Sequence, residues 1–242
     1  MFLENVDSSM KPLTKKILWL TIFSIAMGYM ESAIVVYLRA LYYPNGFGFP
    51  LVMIGPDIGL TEVLREAATI IMLIGIGQLA GKTASQRFTY FLYCFAIWDI
   101  FYYIFLKLLI GWPESLFTWD ILFLIPVPWV GPVIAPCIVS FVMIMLAGSV
   151  EFFHEKGKNT KITPKEWTLF ITGSLVVITS FVWDYFKFRS QPAAIIPSVE
   201  SDHLFYDIST YVPQWFNWPL FLIGEGIIIF GLLIFIMRMR NS

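Results

Sequence analysis

Long apolar runs alternate with short polar stretches along this chain, and the runs have one characteristic length. Six stretches qualify as membrane spans: Ile17–Leu38, Leu60–Ala80, Phe88–Ile110, Val133–Phe153, Trp167–Phe188 and Pro219–Met239. A helix rising about 1.5 Å per residue needs about 20 residues to cross the hydrocarbon of a bilayer. The pattern predicts an all-α, polytopic membrane helix bundle of about six transmembrane helices, with residues 1–242 forming a single integral membrane domain. Ile17–Leu38 is too long for the apolar core of a signal peptide, and no small-x-small cleavage site follows it. It is expected to be a retained first helix.

One region breaks the pattern. Gly111 to Pro136 carries Pro113, Pro126, Pro128, Pro132 and Pro136. Each proline removes an N–H donor and disfavours helix before it. Trp119–Ile125 is apolar but too short to cross, so a Pro-rich re-entrant or interfacial half-helix packed on the bundle is expected between helices 3 and 4. A plain loop lying on the lipid interface is the alternative.

Charge orients the bundle. With the N-terminus inside, eleven of the sixteen basic residues fall in cytoplasmic segments: Lys11, Lys15, Lys16, Lys82, Arg87, Lys156, Lys158, Lys161, Lys165, Arg238 and Arg240. The positive-inside rule then expects both termini in the cytoplasm. The Arg39–Gly59 and Ser190–Trp218 loops face outward, the second carrying Glu200, Asp202, His203 and Asp207. Composition agrees with membrane solvation, at 58% apolar and 14% charged residues, against about 25% charged in soluble domains. A net charge of -1 and the absence of any Lys/Arg-rich run leave no case for nucleic acid as a partner. The lipid bilayer is the expected partner, with room for another membrane protein beside it.

Ionisable residues inside the spans carry the functional signal, because charge there is costly and marks sites. Glu31 lies roughly two turns below the outer end of helix 1, and Arg39 caps that end. Glu62, Arg65 and Glu66 occupy the outer turns of helix 2. Asp99 sits near the middle of helix 3, with Lys107 two turns further out, and Asp184 and Glu225 lie in the outer parts of helices 5 and 6. All are expected in the outer half or near the midplane, none in the inner half. Glu62 and Glu66 share a helix face with Arg65 beside them. Glu31 with Arg39, and Asp99 with Lys107, repeat an eight-residue interval that brings each pair to one side. These residues, together with Trp98 and Asp120, are the ligand- or ion-binding candidates. Trp98 lies too deep for an interfacial aromatic belt. The competing reading is a structural network holding helices together, since buried ion pairs alone are weak evidence of function.

Other chemistry is disfavoured. The two histidines, His154 and His203, fall on opposite sides of the membrane, which argues against haem and zinc. No cofactor is expected. Oxygen-only ligation would favour Mg²⁺, Ca²⁺ or Mn²⁺, and Arg39 and Arg65 count against even that. Nucleotide loops, nucleophile elbows and HExxH are absent from the sequence. Cys94 and Cys137 lie in apolar stretches and read as packing residues. Gly75, Gly77, Gly81, Gly224, Gly226 and Gly231 read as close-packing faces. His154 beside Glu151 and Glu155 reads as a solvated helix end.

Gly28-Tyr29-Met30-Glu31, Tyr37-Leu38-Arg39, Tyr42-Tyr43-Pro44, Glu62-x-x-Arg65-Glu66, Trp98-Asp99-Ile100-Phe101-Tyr102-Tyr103 and the stretch from Trp119-Asp120 to Pro136 are distinctive. They resemble a group of small bacterial multi-pass membrane proteins with no assigned activity. The resemblance covers helices 1 to 4 best. It implies fold and a place in the bacterial cytoplasmic membrane, and lends no substrate or catalytic residue.

Three functions are expected in order. The first is transport, or binding of an ion or small ligand, at an outward-facing intramembrane charged cluster. The second is an accessory or structural subunit of a membrane complex. An intramembrane enzyme acting on a lipid-type substrate comes last, for want of any motif.

Overall fold

A computed structural model describes residues 12–190 and 208–242. Six helices account for most of it: α1 (Pro12–Tyr42), α2 (Pro56–Ala80), α3 (Ala84–Ile110), α4 (Ile134–Glu155), α5 (Pro164–Arg189) and α6 (Trp218–Asn241). Each is long and apolar enough to span a membrane, which makes the chain a multi-pass membrane protein. Lys11, Glu200, Asp202, His203 and Asp207, and most of the loop expected between helices 5 and 6, lie outside the described residues.

The helices start and stop where local chemistry supplies partners for their unbonded ends. Thr163 accepts from the Glu166 N–H while the Glu166 carboxylate accepts from the Thr163 N–H at 2.7 Å, with Pro164 in the first turn of α5. This reciprocal box satisfies two donors that the helix cannot. Thr83 and Asn217 cap α3 and α6 by the same logic. Gly111 ends α3 at φ 70, a left-handed conformation that side chains resist.

Successive helices run in opposite directions, and the tightest pairings rest on small residues. A Cβ at Gly224 would lie 2.8 Å from the Val177 backbone nitrogen, and one at Gly173 would meet the Gly224 carbonyl at 2.9 Å. Helices α5 and α6 therefore touch backbone to backbone. Gly28 plays the same part between α1 and α3, where a Cβ would lie 3.0 Å from the Trp98 carbonyl oxygen, and Ser32 Oγ adds a hydrogen bond to Tyr102 O at 3.0 Å. With lipid as apolar as leucine, such van der Waals fit and interhelical hydrogen bonding are what hold helices together. Gly77, Gly81 and Gly231 are also close-packed, but Gly75 and Gly226 meet nothing within 4 Å. Those two are not packing glycines, because they fall on helix faces with no neighbour. Large apolar side chains point outward, with Leu79 86% and Leu108 73% exposed, as a surface solvated by acyl chains requires.

The segment between α3 and α4 is not a half-helix. It folds as an antiparallel hairpin of β1 (Trp119–Phe123) and β2 (Trp129–Pro132), with Asp120 opposite Gly131. The prolines bar helix on both sides of the turn, and the Trp, Ile, Phe and Val between them suit a pleated strand. Pairing two strands also satisfies backbone groups that an irregular loop would leave bare. The hairpin is wedged among the helices. Phe123 packs against Phe95 and Trp98, Trp129 stacks on Phe181, and the Leu124 N–H donates to Glu66 Oε2 at 2.8 Å. Glu66 is roughly 15 Å along α2 from Pro56 by helical rise, so the tip reaches well inside the bundle.

The opposite end holds a polar set that the sequence reading missed. Glu151 is 8% exposed and accepts from Gln86 Nε2 at 3.4 Å, so it is not part of a solvated helix end. Glu166 is fully buried and takes both a 2.9 Å bond from Arg238 Nε and a 2.9 Å bond from Nη2. Buried charge is therefore not confined to one end of the bundle. The α4–α5 connection is tied to these helix ends, the Ile162 N–H donating to Ser85 Oγ at 3.1 Å and the Lys161 carbonyl accepting from Arg238 Nη2 at 3.0 Å.

The close helix pair makes a direct test. Gly224→Ala is expected to lower stability by about 1–3 kcal/mol through overpacking against backbone, whereas Gly226→Ala should leave it level or raise it slightly. Thermal unfolding in detergent compares the two; equal midpoints would dismiss the glycine contact.

Candidate functional site

At the hairpin end, α1, α2, α3 and β1 surround a cavity of about 200 Å³. Its walls carry five acidic residues, Glu31, Glu62, Glu66, Asp99 and Asp120, and two basic ones, Arg39 and Arg65. Trp98 lines it too. Eight of the eleven sequence candidates thus share one space.

Arg65 organises the side between α1 and α2. Its Nη1 donates to Glu31 across the helix interface, and its Nε and Nη2 donate to Glu62 Oε2 at 3.0 and 2.8 Å. Thr69, one turn along α2, donates to the other oxygen of Glu31 at 2.7 Å. The eight-residue interval between Glu31 and Arg39 does not make a pair, because Glu31 finds its cation on the neighbouring helix.

Arg39 faces the hairpin instead. Its guanidinium carbon lies 3.8 Å from the centre of the Trp112 ring and 4.2 Å from that of Phe47, so two rings set at 84° to each other form an aromatic corner around the cation. Its Nη2 stands 4.0 Å from Asp120 Oδ1, and its buried Nη1 has no hydrogen-bond partner. Asp120 also accepts from the Tyr103 hydroxyl at 3.1 Å. Burial pushes the Asp120 carboxyl up to about 6, against the opposing pull of Arg39 and Tyr103.

Asp99 and Glu66 form the floor. Asp99 accepts from Ser140 Oγ of α4 at 2.8 Å, and Glu66 takes the Leu124 N–H already described. Beyond them a second, larger cavity of about 640 Å³ opens among α2 to α6. The two spaces share Glu66, Asp99, Leu122 and Phe123 as common wall.

Three candidates lie elsewhere. Lys107 does not meet Asp99; its Nζ donates to the carbonyls of Gly111 and Pro113 at 3.0 and 2.8 Å. In the last turn of α3 a lysine finds carbonyls with no helical donor, which draw it outward. Asp184 accepts from the Tyr211 hydroxyl at 2.8 Å and the Gln214 N–H at 3.0 Å, clamping the chain before α6. Glu225 lines the larger cavity, is 3% exposed, and has no hydrogen-bond partner among the described residues on either carboxyl oxygen.

Sequence reasoning did not reach Thr69, Ser140, Phe47, Trp112 or the Leu124 N–H. Ser and Thr within apolar helices are common, and a backbone donor leaves no trace in residue type. The cation between two rings depends on where the 43–55 loop folds. Among the described residues no group of three or more His, Cys, Asp and Glu side chains is placed to hold a metal ion. Both cysteines are free, Cys94 buried in a packed apolar cluster.

The chain matches no known protein family, no curated protein and no solved structure. Its chemistry must be argued from the cavity itself.

Replacing Arg65 leaves two buried carboxylates without their cation. Arg65→Gln is expected to cost about 3–5 kcal/mol, and adding Glu31→Gln should restore part of the loss. A double-mutant cycle on thermal or denaturant unfolding checks this; additive effects would mean the two groups do not interact.

Asp120 makes a pH test. With its folded value above the ordinary carboxylate value near 3.9, the folded state holds the proton longer than the unfolded chain. Stability then falls as pH rises from about 4 to about 6. Asp120→Asn cannot titrate, so its melting midpoint relative to the parent should move in favour of the variant across that window. A constant difference would place the carboxyl at its ordinary value.

Proposed function

We propose that this protein is a carrier in the bacterial cytoplasmic membrane that binds an ion or small ligand in the charged cavity at the hairpin end. In this reading both termini face the cytoplasm, the hairpin is a re-entrant plug on the outer side, and the cavity is loaded from outside. One observation carries the proposal: the bundle keeps an open, charged space where helices normally close up. Acidic and basic groups at membrane depth are expensive, and a purely structural network would be expected to fill its interior and neutralise every charge. Here five acids face two guanidinium groups around about 200 Å³ of free space, and Arg39 retains an unpartnered donor.

The division of labour follows from the contacts. Arg65 is occupied by Glu31 and Glu62 and holds α1 to α2. Glu66 and Asp99 each accept a hydrogen bond from an uncharged donor and retain capacity for a cation or a proton. Arg39, set against two perpendicular rings, would attract an anionic group or shift its pairing with Asp120.

A second reading, an accessory or structural subunit of a membrane complex, draws support from the Glu31–Arg65–Glu62 bridge. That bridge is an assembly device whatever the cavity does. The two readings diverge in function. Reconstituted into sealed vesicles, the carrier should show cation- or proton-coupled flux that falls tenfold or more in Glu31→Gln and Asp99→Asn. Flux unchanged by both substitutions would remove these residues from the mechanism. Complete absence of flux, together with co-purifying membrane proteins, would favour the subunit.

A further inference from the structure

The larger cavity has an unusual combination of walls. Aliphatic side chains make up most of it, with phenylalanines from α3, α5 and the hairpin among them, yet Glu66, Asp99 and Glu225 also reach its surface. Among the described residues lining it, none is Lys, Arg or His. Glu225 projects from α6 with both oxygens unpartnered and only 3% exposure. An unpaired carboxyl in an apolar space costs several kcal/mol unless something meets it, and none of the described residues does.

The volume, about 640 Å³, falls inside the range of roughly 300–1,000 Å³ typical of small-molecule sites. The cavity also has a flank entrance. Ile71 of α2 is 68% exposed and Ser174 of α5 is exposed, and both belong to the lining. Helix α2 packs on α3, with no substantial packing on α5. The mouth therefore opens between α2 and α5, on the side of the bundle that acyl chains would touch.

We infer that this cavity binds lipophilic cations, with Glu225 as their counter-charge and the phenylalanine walls as their apolar and π-face contacts. Aromatic faces attract cations and repel anions through the same ring quadrupole. Three carboxyls in a lining with no Lys, Arg or His act in the same direction. A bulky organic cation satisfies both, and a molecule dissolved in the bilayer reaches the mouth without crossing water. Glu66 and Asp99, in the wall common to both spaces, connect this site to the charged cavity. The inference rests on the binding role proposed above and names the ligand class for it.

Tetraphenylphosphonium and tetraphenylborate have nearly the same shape and opposite charge, so they separate charge recognition from greasiness. The full chain in lipid nanodiscs should bind tetraphenylphosphonium saturably, above the partitioning seen in empty nanodiscs of the same lipid. Tetraphenylborate should bind at least tenfold more weakly. Glu225→Gln, nearly isosteric, should lower phosphonium affinity tenfold or more. Ala67→Trp, which fills the cavity from α2 without removing a carboxyl, should abolish binding while the protein still elutes as a single species. Equal binding of both ions, unchanged affinity in Glu225→Gln, or no saturable phosphonium binding would each overturn the inference. Proton or small-cation flux that still depends on Glu31 and Asp99 would then leave the carrier reading standing. Phosphonium binding without any flux would do the reverse.

Discussion

Arg65 reaches from α2 to a carboxylate on α1 at a depth where neither charge could stay unpartnered. That one guanidinium satisfies Glu31 and Glu62 together, and Thr69 takes up the remaining oxygen of Glu31. In a low-dielectric medium the removal of one member would leave the others exposed to the full cost of desolvation. The first two helices are therefore registered by electrostatics, whereas α5 and α6 are registered by the close approach of Gly173 and Gly224. Two modes of helix association share one bundle, and the charged one sits where the cavity is.

The same constraint governs the hairpin. Backbone N–H and C=O groups cannot be left bare among apolar helices, and β1 and β2 answer most of that demand by pairing with each other. The turn that joins them cannot pair internally, and there the Leu124 N–H turns to Glu66. A carboxyl on a helix thus completes the hydrogen bonding of a strand end. The tip also supplies Leu122 and Phe123 to the wall between the two cavities. The hairpin is in this sense both plug and partition.

The cavities differ in how their charges are met. Around the smaller one, acids are balanced by Arg65, partly balanced by Arg39, or held by a single neutral donor. Around the larger one Glu225 has no hydrogen-bond partner among the described residues. A shift from paired charge to unpaired charge across two cavities with a common wall is an arrangement suited to a ligand that carries its own charge, and poorly suited to a static strut.

Hydropathy along the chain was sufficient to determine the six helices to within a few residues, because solvation by lipid demands runs of that length. It also singled out the acids and bases of the charged cavity, since each is conspicuous against an apolar background. Partners were another matter. Glu31 pairs with Arg65 and not with Arg39, Lys107 caps its own helix and not Asp99, and Glu151 is buried although it lies among solvated-looking neighbours. Spacing within one helix cannot report which helix lies alongside. The proline-rich segment announced a break but not a hairpin, because proline states only what the backbone may not do. Which residues face each other, and where empty space remains, was decided by the packing of helices whose order in space is not written in their order along the chain.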